Sequence, residues 1–309
     1  MRIVILGSGG VGGYFGGRLA ASGTDVRFLA RGAHLEALRE RGLRIESPNG
    51  NLHLAHVHAT NDPSAIGPAD IIFFTVKLYD TEAALRLLPP LLGPQTLVIP
   101  FQNGVDSVDL LSQAVGRHHV AGGTTYLAAV VSEPGVIRHT AMNRLIFGSL
   151  DGDRSPLLVE LADACQGAGV DAVLSDRIMA DIWAKFVRLT VFSGMTAVTR
   201  CSIGPLREDA ALDEMMRGAV RESMAVARAK GISLDDALVE EIRAATAALP
   251  PGARSSMLED LDRGRPLELP WLSGAVVRIG TEVGVETPIH RFITTVLQPH
   301  VKSQTQARP

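Results

Sequence analysis

The stretch Asp181–Gly194, DIWAKFVRLTVFSG, sets Lys185 in a run that is otherwise mostly apolar. An ammonium in such surroundings can stabilise developing negative charge on a reacting oxygen and then donate the proton. Partial burial would lower its pKa and ease that transfer near neutral pH. The same lysine has a plainer explanation. Asp181 stands one helical turn earlier, the spacing of a solvated surface pair worth a few tenths of a kcal/mol. On this stretch alone both readings stand.

A second chemical signature lies near the start. In IVILGSGGVGGYFGGRLAASG, the apolar run Ile3–Leu6 leads directly into Gly7-x-Gly9-x-x-Gly12 and then into a helical pattern. Gly7 suits a tight turn, Gly9 lets the backbone approach a pyrophosphate, and Gly12 allows close helix–strand packing. The helix N-terminus offers free N–H groups to an anion. The loop Gly7, Ser8, Gly9, Gly10, Val11, Gly12 is therefore expected to bind a dinucleotide. An NAD site usually has an acidic residue at the end of the second strand, on the ribose 2′-hydroxyl. Here DVRFLARG ends in Ala30 and Arg31. A guanidinium suits a 2′-phosphate, which favours NADP; the alternative is an ordinary loop arginine.

These groups need elements to hold them. Ile3–Leu6, Val26–Ala30, Ile71–Thr75 and Leu97–Pro100 read as buried strands. Between them, Tyr14–Ala21, Ala33–Arg41, Thr81–Leu88 and Val105–Ala114 carry helical spacing. The alternation predicts an α/β, Rossmann-type domain with a mainly parallel sheet. GTTYLAAVVSEPGVIRHT and RLIFGSL suggest an antiparallel extension of that sheet, with turns near Pro134-Gly135 and Met142-Asn143. From Asp176 the pattern becomes all-helical, over 177–200, 206–230, 234–248, about 271–283 and near 288–298, with breaks at Pro250-Pro251-Gly252 and Gly264. The expected division is 1–174, a dinucleotide-binding domain, and 175–309, a helical substrate and catalytic domain. Ser303–Pro309 reads as a short, frayed polar tail.

The 309 residues are 46% hydrophobic and 20% charged, with a net charge of -3, an ordinary soluble composition. No basic excess points to nucleic acid or an anionic membrane. The glycines after Leu6 break the first apolar run too early for a signal peptide, and no later run is long enough to span a bilayer. Cys165 and Cys201 form no disulfide framework, which fits a reducing cytoplasm. His53, His56 and His58 fall in NLHLAHVHAT; on a strand the last two share a face, too few ligands for a closed zinc site, and no metal is expected. The apolar faces of 177–200 and 206–230 exceed what one small helical domain needs, leaving room for a homodimer.

Several segments together resemble the ketopantoate reductase (2-dehydropantoate 2-reductase) family. They are GSGGVGG, ARGAHLEALRERGL, TVKLYDT, PFQNGVD, DIWAKFVRL, SSMLEDLDRGRPLEL and GVETPIHR, in order across nearly the whole chain. The resemblance implies NADPH-dependent reduction of 2-dehydropantoate to (R)-pantoate, a small 2-oxo acid as the partner, and a place in pantothenate biosynthesis. It makes Lys185 the general acid. Glu268, in RPLEL, becomes the acid that holds the lysine and contacts the product hydroxyl. Ser256 becomes the serine on the substrate carboxylate, and Lys77 and Asn103 face cofactor and substrate. Without the resemblance, Lys77 is equally a loop lysine, Asn103 a turn former, Ser256 a helix cap and Glu268 a solvated acid.

The chain also departs from the family pattern. Leu189 and Ser193 stand where asparagines are usual, as do Ala253 and Ser273, and the acidic stretch reads Glu268-Leu269-Pro270. Each lost amide removes hydrogen bonds worth about 1–3 kcal/mol if buried, and with them discrimination for hydroxylated substrates. A less polar 2-oxo acid, as for a D-2-hydroxyacid dehydrogenase, is the alternative substrate. A non-catalytic NADPH-binding sensor is the alternative outside enzymology; Lys185 and Glu268 argue against it.

Overall fold

The computed structural model describes residues 1–302; the tail Ser303–Pro309 lies outside the described residues. Contacts divide the chain into two units, Met1–Gln102 with Asp106–Asp181, and Asn103–Val105 with Ile182 onward.

The first unit begins with β1 (Arg2–Leu6), α1 (Gly10–Ala21), β2 (Asp25–Leu29), α2 (Gly32–Arg41), β3 (Leu43–Glu46), β4 (Leu52–Leu54) and β5 (His58–Thr60). It continues through β6 (Ala69–Phe74), α3 (Thr81–Leu85), β7 (Leu92–Pro100), α4 (Ser107–Val115), β8 (Ala121–Glu133), β9 (Val136–Ser149), α5 (Pro156–Gly167) and β10 (Asp171–Leu174). One sheet runs β5-β2-β1-β6-β7 and is parallel throughout. Strands buried on both faces read as unbroken apolar runs, and Ile3, Val4, Ile5, Ile71, Ile72, Phe73 and Phe74 are fully inaccessible.

The antiparallel segment is not an extension of that sheet. β8 and β9 pair with each other, and β9 carries β3 and β10 in a second, mixed sheet of order β10-β9-β3-β4. The hairpin turn falls at Pro134-Gly135 as expected, but β9 runs on through Met142-Asn143. Met142 takes a left-handed φ of 62° there, beside register shifts in the β8–β9 ladder, so a bulge stands where the sequence suggested a turn. The short strands β3, β4 and β10 carried too few residues to show a period. The histidines do not share one strand either: His53 lies on β4, His58 on β5 of the other sheet, and His56 between them.

Helix α1 packs against both sheets through its small residues. A Cβ at Gly16 would sit 2.7 Å from Ile5 and 2.8 Å from Phe28, and one at Gly13 would sit 2.7 Å from Ile137. Larger residues would force helix and sheets apart at a cost of about 1–3 kcal/mol per site.

Helix α6 (Ile178–Thr199) carries the chain into the second unit. There follow α7 (Ile203–Glu208), α8 (Ala210–Ala229), α9 (Leu238–Ala247), α10 (Ser256–Asp262), α11 (Ser273–Val283) and α12 (Pro288–Leu297). The expected helix 206–230 is two, broken at Asp209, whose extended backbone and carboxylate cap α8 by accepting from the N–H groups of Ala211 and Leu212. Among the described residues, no helix is long and apolar enough to cross a membrane.

Candidate active site

The glycine loop joins β1 to α1 in the first unit. Gly7 holds φ at +106°, where a side chain would be strained, and a Cβ would lie 2.7 Å from the amide nitrogen of Val76. A Cβ on Gly12 would reach Ile5 at 2.6 Å and Thr75 Oγ1 at 2.5 Å. Gly10 backs onto the carbonyl of Ala129 in β8. Gly9 differs: nothing lies within 4 Å of where its Cβ would be, so its backbone is open to an incoming group. No side chain caps α1, and the Ser8 hydroxyl is spent on the carbonyl of Leu29 at 3.0 Å. The N–H groups of the first turn, including Val11, are thus left to an anion. A pyrophosphate fits this cradle.

Thr75, a residue the sequence reading missed, braces the loop by donating its hydroxyl to the carbonyl of Gly7 at 2.8 Å. Arg31 follows β2 at the N-cap of α2, 79% exposed, with Nη2 2.7 Å from Asp80 Oδ2. Lys77 is exposed after β6 in this same unit.

The second constellation belongs to the other unit. Lys185, half-buried on α6, donates from Nζ to Asn103 Oδ1 at 3.0 Å. Asn103 Nδ2 in turn donates to Glu268 Oε2 at 3.2 Å. Asn103 lies 82 and 165 residues from its two partners, so only the tertiary fold joins them. Glu268 is 7% exposed, at the N-cap of the 3-10 turn Leu269–Trp271. Burial pulls the Lys185 ammonium down to about 8, against the charge of Glu268, which holds it up. A pKa there suits proton exchange near neutrality. Asp181 accepts the hydroxyl of Ser175.

The residue ahead of Asn103 in the chain is tied down by its own hydrogen bonds. The buried Gln102 donates to the carbonyl of Val76 at 2.8 Å and to Thr81 Oγ1 at 3.0 Å, and accepts from Ser107 at 2.8 Å. Gly104, at φ +83°, turns the chain immediately after. Only a buried amide with three partners marks Gln102, and no spacing rule reveals that.

Ser256 is the exposed first residue of α10, and Ser255 performs the capping, its hydroxyl accepting from the N–H of Leu258 at 3.1 Å. Leu189 and Ser193 follow Lys185 at one and two helical turns on the same face of α6. Leu189 is half-buried, and the Ser193 hydroxyl is buried with no hydrogen-bond partner among the described residues. Ser273 pairs with Thr190 at 3.5 Å. Among the described residues no group of three potential metal ligands occurs.

The family model "Ketopantoate reductase PanE/ApbA" matches residues 3–152, and its C-terminal counterpart matches residues 177–301. The chain belongs to the ketopantoate reductase family. Ketopantoate reductases are NADP-dependent oxidoreductases acting on a CH–OH group. A 2-dehydropantoate 2-reductase of Mesorhizobium japonicum is 32% identical, over 93% of this chain and 94% of that one. The crystal structure of the 2-dehydropantoate 2-reductase of Geobacter metallireducens superposes with a TM-score of 0.91 at 30% identity, covering 97% of this chain and 99% of that one. A D-mandelate dehydrogenase solved with NADH and anilino(oxo)acetate has a TM-score of 0.88 at 23% identity, covering 97% of this chain and 98% of its own, and shares the fold.

Proposed function

We propose that this ketopantoate reductase converts 2-dehydropantoate to (R)-pantoate with NADPH, in pantothenate biosynthesis, and that Lys185 supplies the proton. When bound, NADPH would supply the hydride that adds to the carbonyl carbon. Lys185 Nζ gives its proton to the carbonyl oxygen as the C=O π bond breaks and negative charge develops there; the resulting amine is reprotonated from solvent. Asn103 holds the ammonium in place through Oδ1. Glu268 keeps it protonated and offers a carboxylate oxygen to the product hydroxyl. Ser256, relieved of capping by Ser255, is read as a donor to the substrate carboxylate. Gly7–Gly12 and Arg31 are read as the NADP site, with Lys77 and Asn103 facing the cofactor. The working division is 1–174 for the cofactor and 175–309 for the substrate.

The observation that carries this reading is the chain Lys185–Asn103–Glu268, a half-buried ammonium with its pKa near 8 fixed by an amide and an acid. The test is NADPH oxidation by purified protein with 2-dehydropantoate, run beside Lys185→Ala. Rapid oxidation in the wild type that collapses in the variant, with NADPH still bound, is the expected result. Equal inactivity of both on every 2-oxo acid would refute the catalytic role and leave the sensor.

A second substrate reading rests on Leu189 and Ser193, which put an apolar group and a small buried hydroxyl where the family pattern has amides. On that reading, a 2-oxo acid with an apolar side chain outcompetes 2-dehydropantoate in kcat/KM. The proposal includes a cytoplasmic enzyme acting as a homodimer, and sedimentation tests the second point.

A further inference from the structure

Arg31 and Asp80 form an ion pair that spans three strands' worth of loops. Arg31 ends the connection after β2, and Asp80 lies after β6, while β1, between these strands in the sheet, leads into the glycine loop. In a parallel sheet the loops after all three strands emerge at one edge, where a dinucleotide binds. The Arg31–Asp80 pair, 2.7 Å between Nη2 and Oδ2, therefore links the loops on either side of β1, the strand that leads into Gly7–Gly12. Asp80 also stands at the N-cap of α3, where a carboxylate ordinarily turns inward onto free N–H groups. It makes no such cap bond; its carboxylate goes to Arg31 instead.

We infer that Asp80 sets the cofactor preference by competing with a 2′-phosphate for the Arg31 guanidinium. This rests on the reading of Arg31 as the 2′-phosphate ligand. A 2′-phosphate brings about −1.5 to −2 charges near neutral pH, and to reach Arg31 it must displace or share a carboxylate already seated there. NADH brings only a hydroxyl and meets no repulsion from Asp80. The guanidinium favours NADPH, the carboxylate subtracts from that preference, and the chain discriminates less than Arg31 alone would allow.

Direct calorimetric titration of NADPH and NADH into wild type, Asp80→Asn and Arg31→Met tests this without turnover. Asparagine keeps an oxygen for Arg31 and removes only the charge. The expected result is a three- to tenfold tighter Kd for NADPH in Asp80→Asn, NADH unchanged within about twofold, and a gain that shrinks with added salt. Arg31→Met should weaken NADPH at least tenfold and leave NADH alone. If Arg31→Met does so while Asp80→Asn leaves the NADPH-to-NADH ratio unchanged or lowers it, the inference about Asp80 fails and the reading of Arg31 survives. If Arg31→Met binds both cofactors like wild type, the reading of Arg31 fails and the inference falls with it.

Discussion

At the glycine loop the groups offered to a ligand are backbone N–H groups, and the side chains matter chiefly by being absent. At Lys185 they are an ammonium, an amide and a carboxylate brought from three distant segments. The first arrangement is made by one tight turn and one helix start within six residues, so its geometry is nearly local and its tolerance for any added atom is small. The second depends on α6, the turn at Asn103–Val105 and the segment before Leu269 arriving together, and each member can be altered in charge with little change in shape. Damage to the loop should therefore act on cofactor affinity and stability, and damage to the cluster on turnover and its pH dependence.

The widest separation is expected from Lys185→Ala. Loss of a positioned proton donor costs about 10²–10⁴-fold in turnover. Calorimetric affinity for NADPH should stay within about twofold, since the loop is untouched. A parallel loss of affinity would mean that the two regions are not independent.

Gly12→Ala is the converse. Its Cβ would meet Thr75 Oγ1 at 2.5 Å and Ile5 Cγ2 at 2.6 Å, with the Gly7 carbonyl against it as well. Relief requires moving β1 from α1, at about 1–3 kcal/mol in stability. We expect a lower denaturation midpoint and NADPH affinity reduced tenfold or more, while the Lys185 titration stays where it is. Chemical denaturation and calorimetry check both.

Asn103→Ala removes the oxygen that receives Lys185 and the N–H₂ that serves Glu268 in one step. Leaving such groups under-satisfied costs about 1–3 kcal/mol, or roughly 5–150-fold in kcat if the loss falls on the transition state. Recovery by Asn103→Asp would show that only the acceptor to Lys185 matters; no recovery would show that the donor to Glu268 matters as well.

The same contrast explains what could be read from the chain beforehand. The loop was legible because spacing alone determines it: Gly7, Gly9 and Gly12 each do locally what the motif requires. The strands β1, β2, β6 and β7 were legible because burial on both faces makes them apolar runs. The second sheet was not, since β3, β4 and β10 are short; β3 and β10 pair with β9, and β4 with β3, partners no local pattern names. Lys185 itself was ambiguous: its i−4 neighbour Asp181 offered a surface pair, and only the resemblance to a known family favoured catalysis. Gln102, which holds the chain ahead of Asn103 through three hydrogen bonds, and Asp80, which meets Arg31, carried no signal because their partners are far away in sequence.

The smallest effect is a shift in pH rather than a loss of rate. Burial lowers the Lys185 pKa to about 8, and the charge of Glu268 opposes that fall. On the proposed role of Lys185 reduction needs the ammonium, so its rate should be level below about pH 8 and decline above it, while oxidation of the hydroxy acid, which needs the neutral amine, should rise through the same range. Glu268→Gln keeps the shape and the hydrogen bond to Asn103 but deletes the opposing charge. Burial then acts alone, the Lys185 pKa falls further, and the descending limb of reduction moves to lower pH. A profile of kcat against pH for the two proteins decides it. A limb that stays near 8 in the variant would show that Glu268 only positions the amide; a limb that moves to higher pH would mean the titrating group is not Lys185.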